Sequence, residues 1–307
     1  MARASARVAT PSARCKAFAS SSRPGTDFYC RLGVQKFHFI SGLPRAGSTL
    51  LSAILSQNPR FQAGVSSPLA AFFSSLVSQV SVGSEWATRV TTDQRRRLLH
   101  GLFEAYYADL PAGKQVVFDT NRVWTARLPA LLDLFPEARV IACVRNVAWV
   151  MDSIERLYRK NPYENTALFG NDAERSTVFT RTETLAQRNR LVGLAYSGLK
   201  EAYYSEEGRA MLVVDYDLLV QRPAHVIPLI YQFLGEEAFP HDYDNLSFDT
   251  PDYDEGLGLA GLHKVRQKVG LEPRETILPP DLFEQYSKLS FWYNTASSRC
   301  NVLMVRP

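Results

Sequence analysis

Phe37 to Leu51 reads FHFISGLPRAGSTLL, and this stretch decides the fold. A run of apolar, aromatic and β-branched residues meets a glycine, a proline, an arginine, a second glycine and two hydroxyl residues, and then helix formers. That order describes a buried strand running into a phosphate-cradling loop and a helix. Gly42 to Thr49 keeps the glycine spacing of the GxxxxGK[ST] loop but carries Ser48 where the lysine belongs. In a nucleoside triphosphatase or kinase that lysine stabilises the transferring phosphoryl group beside a Mg²⁺ ion. Its absence argues against triphosphate chemistry. The backbone amides that open the helix still make an anion site, and Arg45 supplies positive charge within the loop.

Three more segments repeat the strand-then-helix order that builds a parallel sheet. QVVFDT at 115–120 leads into RLPALLDLF, ARVIACVR at 138–145 into VAWVMDSIERLYRK, and MLVVDY at 211–216 into HVIPLIYQFLG. All are apolar nearly throughout rather than alternating, as burial on both faces demands. One long helix is expected over TETLAQRNRLVGLAYSGLKEAYY at 182–204. The stretch from about 236 to 280, rich in Asp, Pro and Gly, reads as a lid-like loop ahead of a last amphipathic helix, DLFEQYSKLSFWY. The expected fold is therefore α/β: a P-loop-type three-layer fold with a central, mainly parallel sheet flanked by helices and a C-terminal lid. Residues 37–300 form its single domain.

Charge is distributed unevenly. Residues 1–36 carry seven cations (Arg3, Arg7, Arg14, Lys16, Arg23, Arg31 and Lys36) against Asp27, a net of +6, so the chain's +4 leaves the remainder at −2. A body with that balance has no footprint for a polyanion, although local cationic clusters are compatible with it, and nucleic acid is not expected as a partner. The tail, rich in Ala, Ser and Arg, lacks the apolar stretch of a secretory signal. It reads as a disordered extension, or as the product of a start codon placed upstream of the true one, more than as a transit peptide. No run of about 18 apolar residues occurs, so no membrane span is expected. The four cysteines, Cys15, Cys30, Cys143 and Cys300, show no CxxC pairing, which fits a reducing cytoplasm.

A loop that binds phosphate and sets one cation beside the leaving group suits a transferred group of lower charge than phosphoryl. Sulfuryl is such a group. Pro44-Arg45-Ala46-Gly47-Ser48-Thr49-Leu50 resembles the 5′-phosphosulfate loop of the sulfotransferases that use 3′-phosphoadenosine 5′-phosphosulfate (PAPS). It is most similar to the tyrosylprotein sulfotransferase branch, including a bacterial, cytoplasmic form of it. The resemblance implies that Arg45 and the amides of Ala46, Gly47, Ser48 and Thr49 hold the 5′-phosphosulfate, with no metal required. It also implies that Arg145, at a strand end, and Ser153, eight residues later in the next helix, hold the 3′-phosphate. An arginine forks onto phosphate there while the helix amino end and a hydroxyl complete its shell. Tyr216, in the similar MLVVDYDLLVQRP segment, is implied to pack near the nucleotide. Lys264 in GLHKVRQKV, with Arg266 as second candidate, is implied to close over the donor phosphates. That segment reads equally as a solvated basic loop.

The chain departs from the tyrosylprotein pattern at Ser66, which stands in FQAGVSSPLAAFF where that branch has its acidic base. A serine does not do a carboxylate's work at neutral pH. Asp119 and Arg122, in VVFDTNR at the carboxyl end of a strand, offer a replacement: Asp119 as base and Arg122 as a stabiliser of transferring charge. Asp119 reads equally as a residue that orders the strand end. The five histidines do not cluster, and neither His38 nor His263 is given a role. The expected function is sulfuryl transfer from PAPS to a hydroxyl, foremost a tyrosine in a peptide or protein. A small alcohol, phenol or glycan is the alternative acceptor, and a small-molecule kinase or a catalytically inactive nucleotide-binding module are the alternatives in other classes.

Overall fold

The computed structural model describes residues 36–160, 163, 166–248, 254 and 263–305. The extension expected over 1–36 lies outside these residues apart from Lys36, which opens the first strand and pairs with Glu236 at 2.7 Å.

Six parallel strands form one sheet in the order β2-β3-β1-β4-β5-β6, flanked by helices. The four strands legible in the sequence are β1 (Lys36–Gly42), β3 (Val116–Thr120), β4 (Val140–Val144) and β5 (Met211–Asp215). Positions in β3, β4 and β5 are buried throughout, as expected for strands covered on both faces. Two edge strands escaped the sequence reading. In β2 (Phe61–Ser66) only Phe61 and Ala63 are buried, and its pairing with β3 shifts register between Ala63 and Ser66. The three-residue β6 (Asn301–Leu303) is half-exposed and lies beyond residue 300.

Helix α1 (Ser48–Leu55) follows β1, α2 (Leu69–Val80) and α3 (Thr92–Tyr106) precede β3, and α4 (Leu128–Leu134) follows it. Helix α5 (Val147–Lys160) follows β4 over the span expected for it. A short α6 (Asp172–Arg175) precedes α7 (Val178–Ala186) and α8 (Leu191–Tyr204), which divide the single helix expected over 182–204. The break has a local cause. Gln187-Arg188-Asn189-Arg190 offers nothing apolar to the core, and Arg190 turns instead to Glu174 at 2.6 Å. Helices α9 (Tyr216–Gln221) and α10 (Pro223–Leu234) follow β5, and α11 (Pro280–Ser287) packs on α5 through Trp149 and Phe283, 5.2 Å apart. No helix among the described residues is long and apolar enough to cross a membrane.

On one face Phe37 and Phe39 of β1 meet Phe103, Trp124 and Phe135 with ring centroids 5.0–5.9 Å apart. This rigid aromatic layer holds β1 in the middle of the sheet. Because the chain runs outward from β1 to β2 and β3 on one side and to β4, β5 and β6 on the other, the strand order reverses there. Parallel sheets bind ligands outside the carboxyl ends of their strands at such a reversal.

Candidate active site

The loop after β1 lies at that reversal. Gly42 has φ +106°, and a side chain on it would begin 2.1 Å from the carbonyl oxygen of Cys143 in β4. Only glycine lets the backbone pass so close. Arg45 takes the left-handed region with φ 59°, uncommon for a residue with a Cβ. Gly47, at φ +93°, then opens α1 with no side-chain cap and no acid in the first turn. The first amides of α1 are thus left to a ligand. Ala46 is buried and contributes backbone alone, whereas Ser48 and Thr49 line the cleft above.

Arg145 emerges directly after β4 and stacks over the ring of Tyr216, with 4.3 Å between its guanidinium carbon and the ring centre. Its Nε is buried without a hydrogen-bond partner among the described residues. A buried guanidinium nitrogen left unsatisfied is costly in a native structure, and an anion accepting from it removes the penalty. The other edge of Tyr216 closes on Gly47, where a Cβ would lie 2.8 Å from Cδ2. One ring therefore sets the spacing between the loops that follow β1, β4 and β5. Behind it Asp215 caps α9 by accepting from the amides of Asp217 and Leu218 at 3.0 and 3.2 Å. Burial pushes the Asp215 carboxyl up to about 6, against the opposing help of those amides and Arg145.

Arg45 and Ser153 meet. Arg45 Nε donates to Ser153 Oγ at 3.1 Å, joining the β1 loop to the second turn of α5. Burial, with Arg145 adding its repulsion, pushes the Arg45 guanidinium down to about 10, still charged at neutral pH. Arg45, Gly47, Ser48, Thr49, Arg145, Ser153, Tyr216, Arg122 and Lys264 all line one cleft of about 920 Å³. Arg122 and Lys264 are exposed at its rim. Nine cationic side chains line the cleft against a single carboxylate, Glu272, among the described residues. A body of net −2 thus concentrates positive potential in one concavity, where low-dielectric walls focus it.

The lid is tied to this cleft from both ends. Residues 243–246 pair with 267–269 through Leu246 N–H to Gln267 O at 2.7 Å and Val269 N–H to Tyr243 O at 2.8 Å. At the other end stands Asp152, fully buried and adjacent to Ser153. It accepts from Arg156 Nε at 2.9 Å, Thr276 Oγ1 at 3.1 Å and the Ile277 amide at 2.8 Å, and pairs with Arg274 at 2.9 Å. Arg156 and Arg274 also line the cleft. Neither Asp152 nor Arg274 was singled out from the sequence; the i, i+4 spacing of Asp152 and Arg156 was visible there, but the partners at 274–277 are over a hundred positions away.

The model of the sulfotransferase family matches residues 38–241, about two thirds of the chain. The chain belongs to the sulfotransferase family. Among solved structures it is similar to the sulfotransferase domain of the olefin synthase of Synechococcus PCC 7002, at 18% identity and TM-score 0.46 over 85% of this chain and 96% of that one. It is similar also to a sulfotransferase of Alicyclobacillus acidocaldarius (18% identity, TM-score 0.44, 77% of this chain and 90% of that one). A sulfotransferase of Mycobacterium avium matches at 14% identity and TM-score 0.46 over 87% of this chain and 79% of that one. No curated protein matches the chain.

In this sulfotransferase the fold keeps two candidates out of the cleft lining: Ala46, whose side chain is buried behind the loop, and Asp119. Successive side chains of a strand point to opposite faces. Thr120 faces α1 and the cleft, with its hydroxyl 3.3 Å from that of Ser52, so Asp119 faces the core. There Asp119 Oδ2 accepts from the Tyr107 hydroxyl at 2.7 Å and Oδ1 from Trp124 Nε1 at 2.6 Å. Burial raises its pKa. This departs from the expectation of a base at that position: the carboxylate is fully buried and its oxygens are taken up in ordering the strand end, with Ser67 a further partner. Ser66 does line the cleft. His38, given no role from the sequence, is buried in β1 and accepts from the Arg139 amide at 3.1 Å through Nδ1.

Proposed function

We propose that the enzyme moves the sulfuryl group of PAPS onto an acceptor hydroxyl, and that the acceptor is a tyrosine side chain of a peptide or protein. The observation that carries the donor reading is the Arg45–Ser153 contact of 3.1 Å, which makes one anion cleft of the two motifs that sequence alone kept apart. PAPS supplies a sulfuryl group on a phosphate leaving group. Arg45 and the amides from Ala46 to Thr49 bind the 5′ end and offset charge on the leaving oxygen. Arg145, over the ring of Tyr216, receives the 3′-phosphate with Ser153 beside it, and its unpartnered Nε supports that assignment. Arg122, at the rim, stabilises charge on the group in transit, and Lys264 closes over the donor phosphates.

A small alcohol, phenol or glycan is the second reading of the acceptor. Ser66 favours it, since the cleft wall carries a hydroxyl where the tyrosylprotein branch has an acid. Thermal shift with adenosine 3′,5′-bisphosphate against ATP tests the donor. Stabilisation by the bisphosphate at concentrations where ATP has none is the expected result, and the reverse order would return the fold to kinase chemistry. Turnover of a tyrosine peptide against a simple phenol then separates the acceptors.

A further inference from the structure

With Ser66 unable to act as a base and Asp119 turned into the core, the acceptor's proton needs another destination. Among the described residues lining the cleft, His263 is the sole imidazole and Glu272 the sole carboxylate. Glu272 is occupied by Arg266 in an exposed ion pair. His263 is held differently. Its Nδ1 lies 2.6 Å from Asp254 Oδ1, and its backbone N–H donates to Asp254 Oδ2 at 2.8 Å. Asp254 is only 4% exposed. One carboxylate thus grips both the ring and the backbone of the residue. A carboxylate facing Nδ1 takes the N–H there and leaves the basic lone pair on Nε2, the arrangement by which an acid orients an imidazole for proton transfer. His263 lines the same cleft as Arg45, and the charge of Asp254 acts on the Arg45 guanidinium.

We propose that His263 is the general base of sulfuryl transfer and Asp254 its positioning residue, an inference that rests on the donor and hydroxyl-acceptor reading above. Nε2 takes the hydroxyl proton as the acceptor oxygen bonds to sulfur. The bond between sulfur and the bridging oxygen of the 5′-phosphate breaks, and its electron pair leaves on the bisphosphate, where Arg45 offsets the new charge. The imidazolium then releases its proton to water. His263 adjoins Lys264 in the chain, and both line the cleft, so base and donor-binding cation stand side by side there.

The test uses the full chain, PAPS as donor, and two acceptors of similar size, phenol and 4-nitrophenol. An acceptor that is already ionised needs no base. In His263→Gln, kcat with phenol should fall roughly 10²–10⁴-fold while kcat with 4-nitrophenol falls less than about tenfold. Donor KM and the thermal shift given by adenosine 3′,5′-bisphosphate should stay unchanged. Asp254→Asn should show the same bias towards the acidic phenol with KM values intact, a pattern that a purely structural carboxylate would not produce. Equal losses on both phenols, or no loss on either, would overturn the inference. Where only a tyrosine peptide is turned over, that peptide and its 3-nitrotyrosine counterpart replace the two phenols. Should wild-type enzyme bind the bisphosphate yet sulfate neither the phenols nor the peptide, the hydroxyl-acceptor reading falls and His263 with it. Absence of bisphosphate binding would strike the donor reading instead.

Discussion

The Tyr107 hydroxyl donates to Asp119 Oδ2 at 2.7 Å, with Trp124 Nε1 on the carboxylate's other oxygen. Both partners are buried with it under the aromatic layer of β1. Asp119→Asn replaces one accepting oxygen with a donor, so it faces either Tyr107 or Trp124 with a donor opposite a donor. The expected outcome is a loss of about 1–3 kcal/mol of stability in denaturant titration, with kcat per folded molecule near the wild-type value. A large fall in kcat at undiminished stability would put Asp119 back in the chemistry.

Arg45 and Arg145 should separate kinetically. In the proposed donor placement Arg45 faces the leaving group, so Arg45→Ala should act on kcat and lower it beyond detection in an ordinary assay. The same placement puts Arg145 at the far phosphate, and Arg145→Ala should raise the donor's KM by an amount worth about 2–5 kcal/mol while moving kcat less. Steady-state kinetics with varied PAPS reads both. Near-wild-type behaviour of the two variants would sink the assignment of the cleft.

Gly47 is enclosed twice, by its φ of +93° and by the Tyr216 ring. Gly47→Ala should therefore lose about 1–3 kcal/mol through backbone strain and displace the ring on which Arg145 rests. Calorimetric binding of adenosine 3′,5′-bisphosphate should weaken in the single variant. Adding Tyr216→Ala relieves the clash but not the dihedral strain, so the double variant should not return to wild-type affinity.

Asp152 gathers Arg156, Arg274, Thr276 and the Ile277 amide on one buried carboxylate. Asp152→Asn should destabilise the fold by about 1.5–3 kcal/mol. It should also release Arg274 from the cleft wall and weaken bisphosphate binding, although residue 152 itself does not line the cleft. Equal bisphosphate affinity in variant and wild type would show that the lid anchor and the donor site are independent.

Asp215 gives the stability a pH dependence of known sign. Its folded pKa of about 6 lies above the ordinary 3.8, chiefly through burial. Between those values the folded state binds more protons than the unfolded one, so this group's contribution falls as pH rises through the window. Asp215→Asn keeps an accepting oxygen for the α9 amides and cannot ionise. Relative to its own stability at about pH 4, the variant should at about pH 7 keep about 2 kcal/mol that the wild type loses through this group. An unchanged pH profile would show that Asp215 titrates normally.

The central strands and the loop after β1 were legible because their signals are local. FHFIS, VVFDT, VIACV and MLVVD are apolar runs of strand length, and Gly42 to Thr49 carries its spacing in eight consecutive residues. Strand β2 was not, because FQAGVS has small residues and a glycine in place of a bulky run, and at the sheet edge only half of it needs burial. Asp119 misled for a related reason. Sequence placed it at a strand end, but a shift of one residue decides the face, and Thr120 took the side towards the cleft. Asp152 and the pairing of His263 with Asp254 depend on contacts between distant segments, to which composition and spacing are blind.

Arg145 is oriented by an aromatic face, and that choice of support matters. A carboxylate would fix a guanidinium equally well, but it would neutralise it, and an incoming phosphate would first have to displace the ion pair. The π-face of Tyr216 draws only on the ring's quadrupole, so the arginine is preorganised while its full charge remains available to the ligand. Under the proposed donor placement, phosphate recognition would require little rearrangement of the receiving group. Replacement of Tyr216 by an aliphatic residue of similar bulk would leave the charge in place and remove the aim.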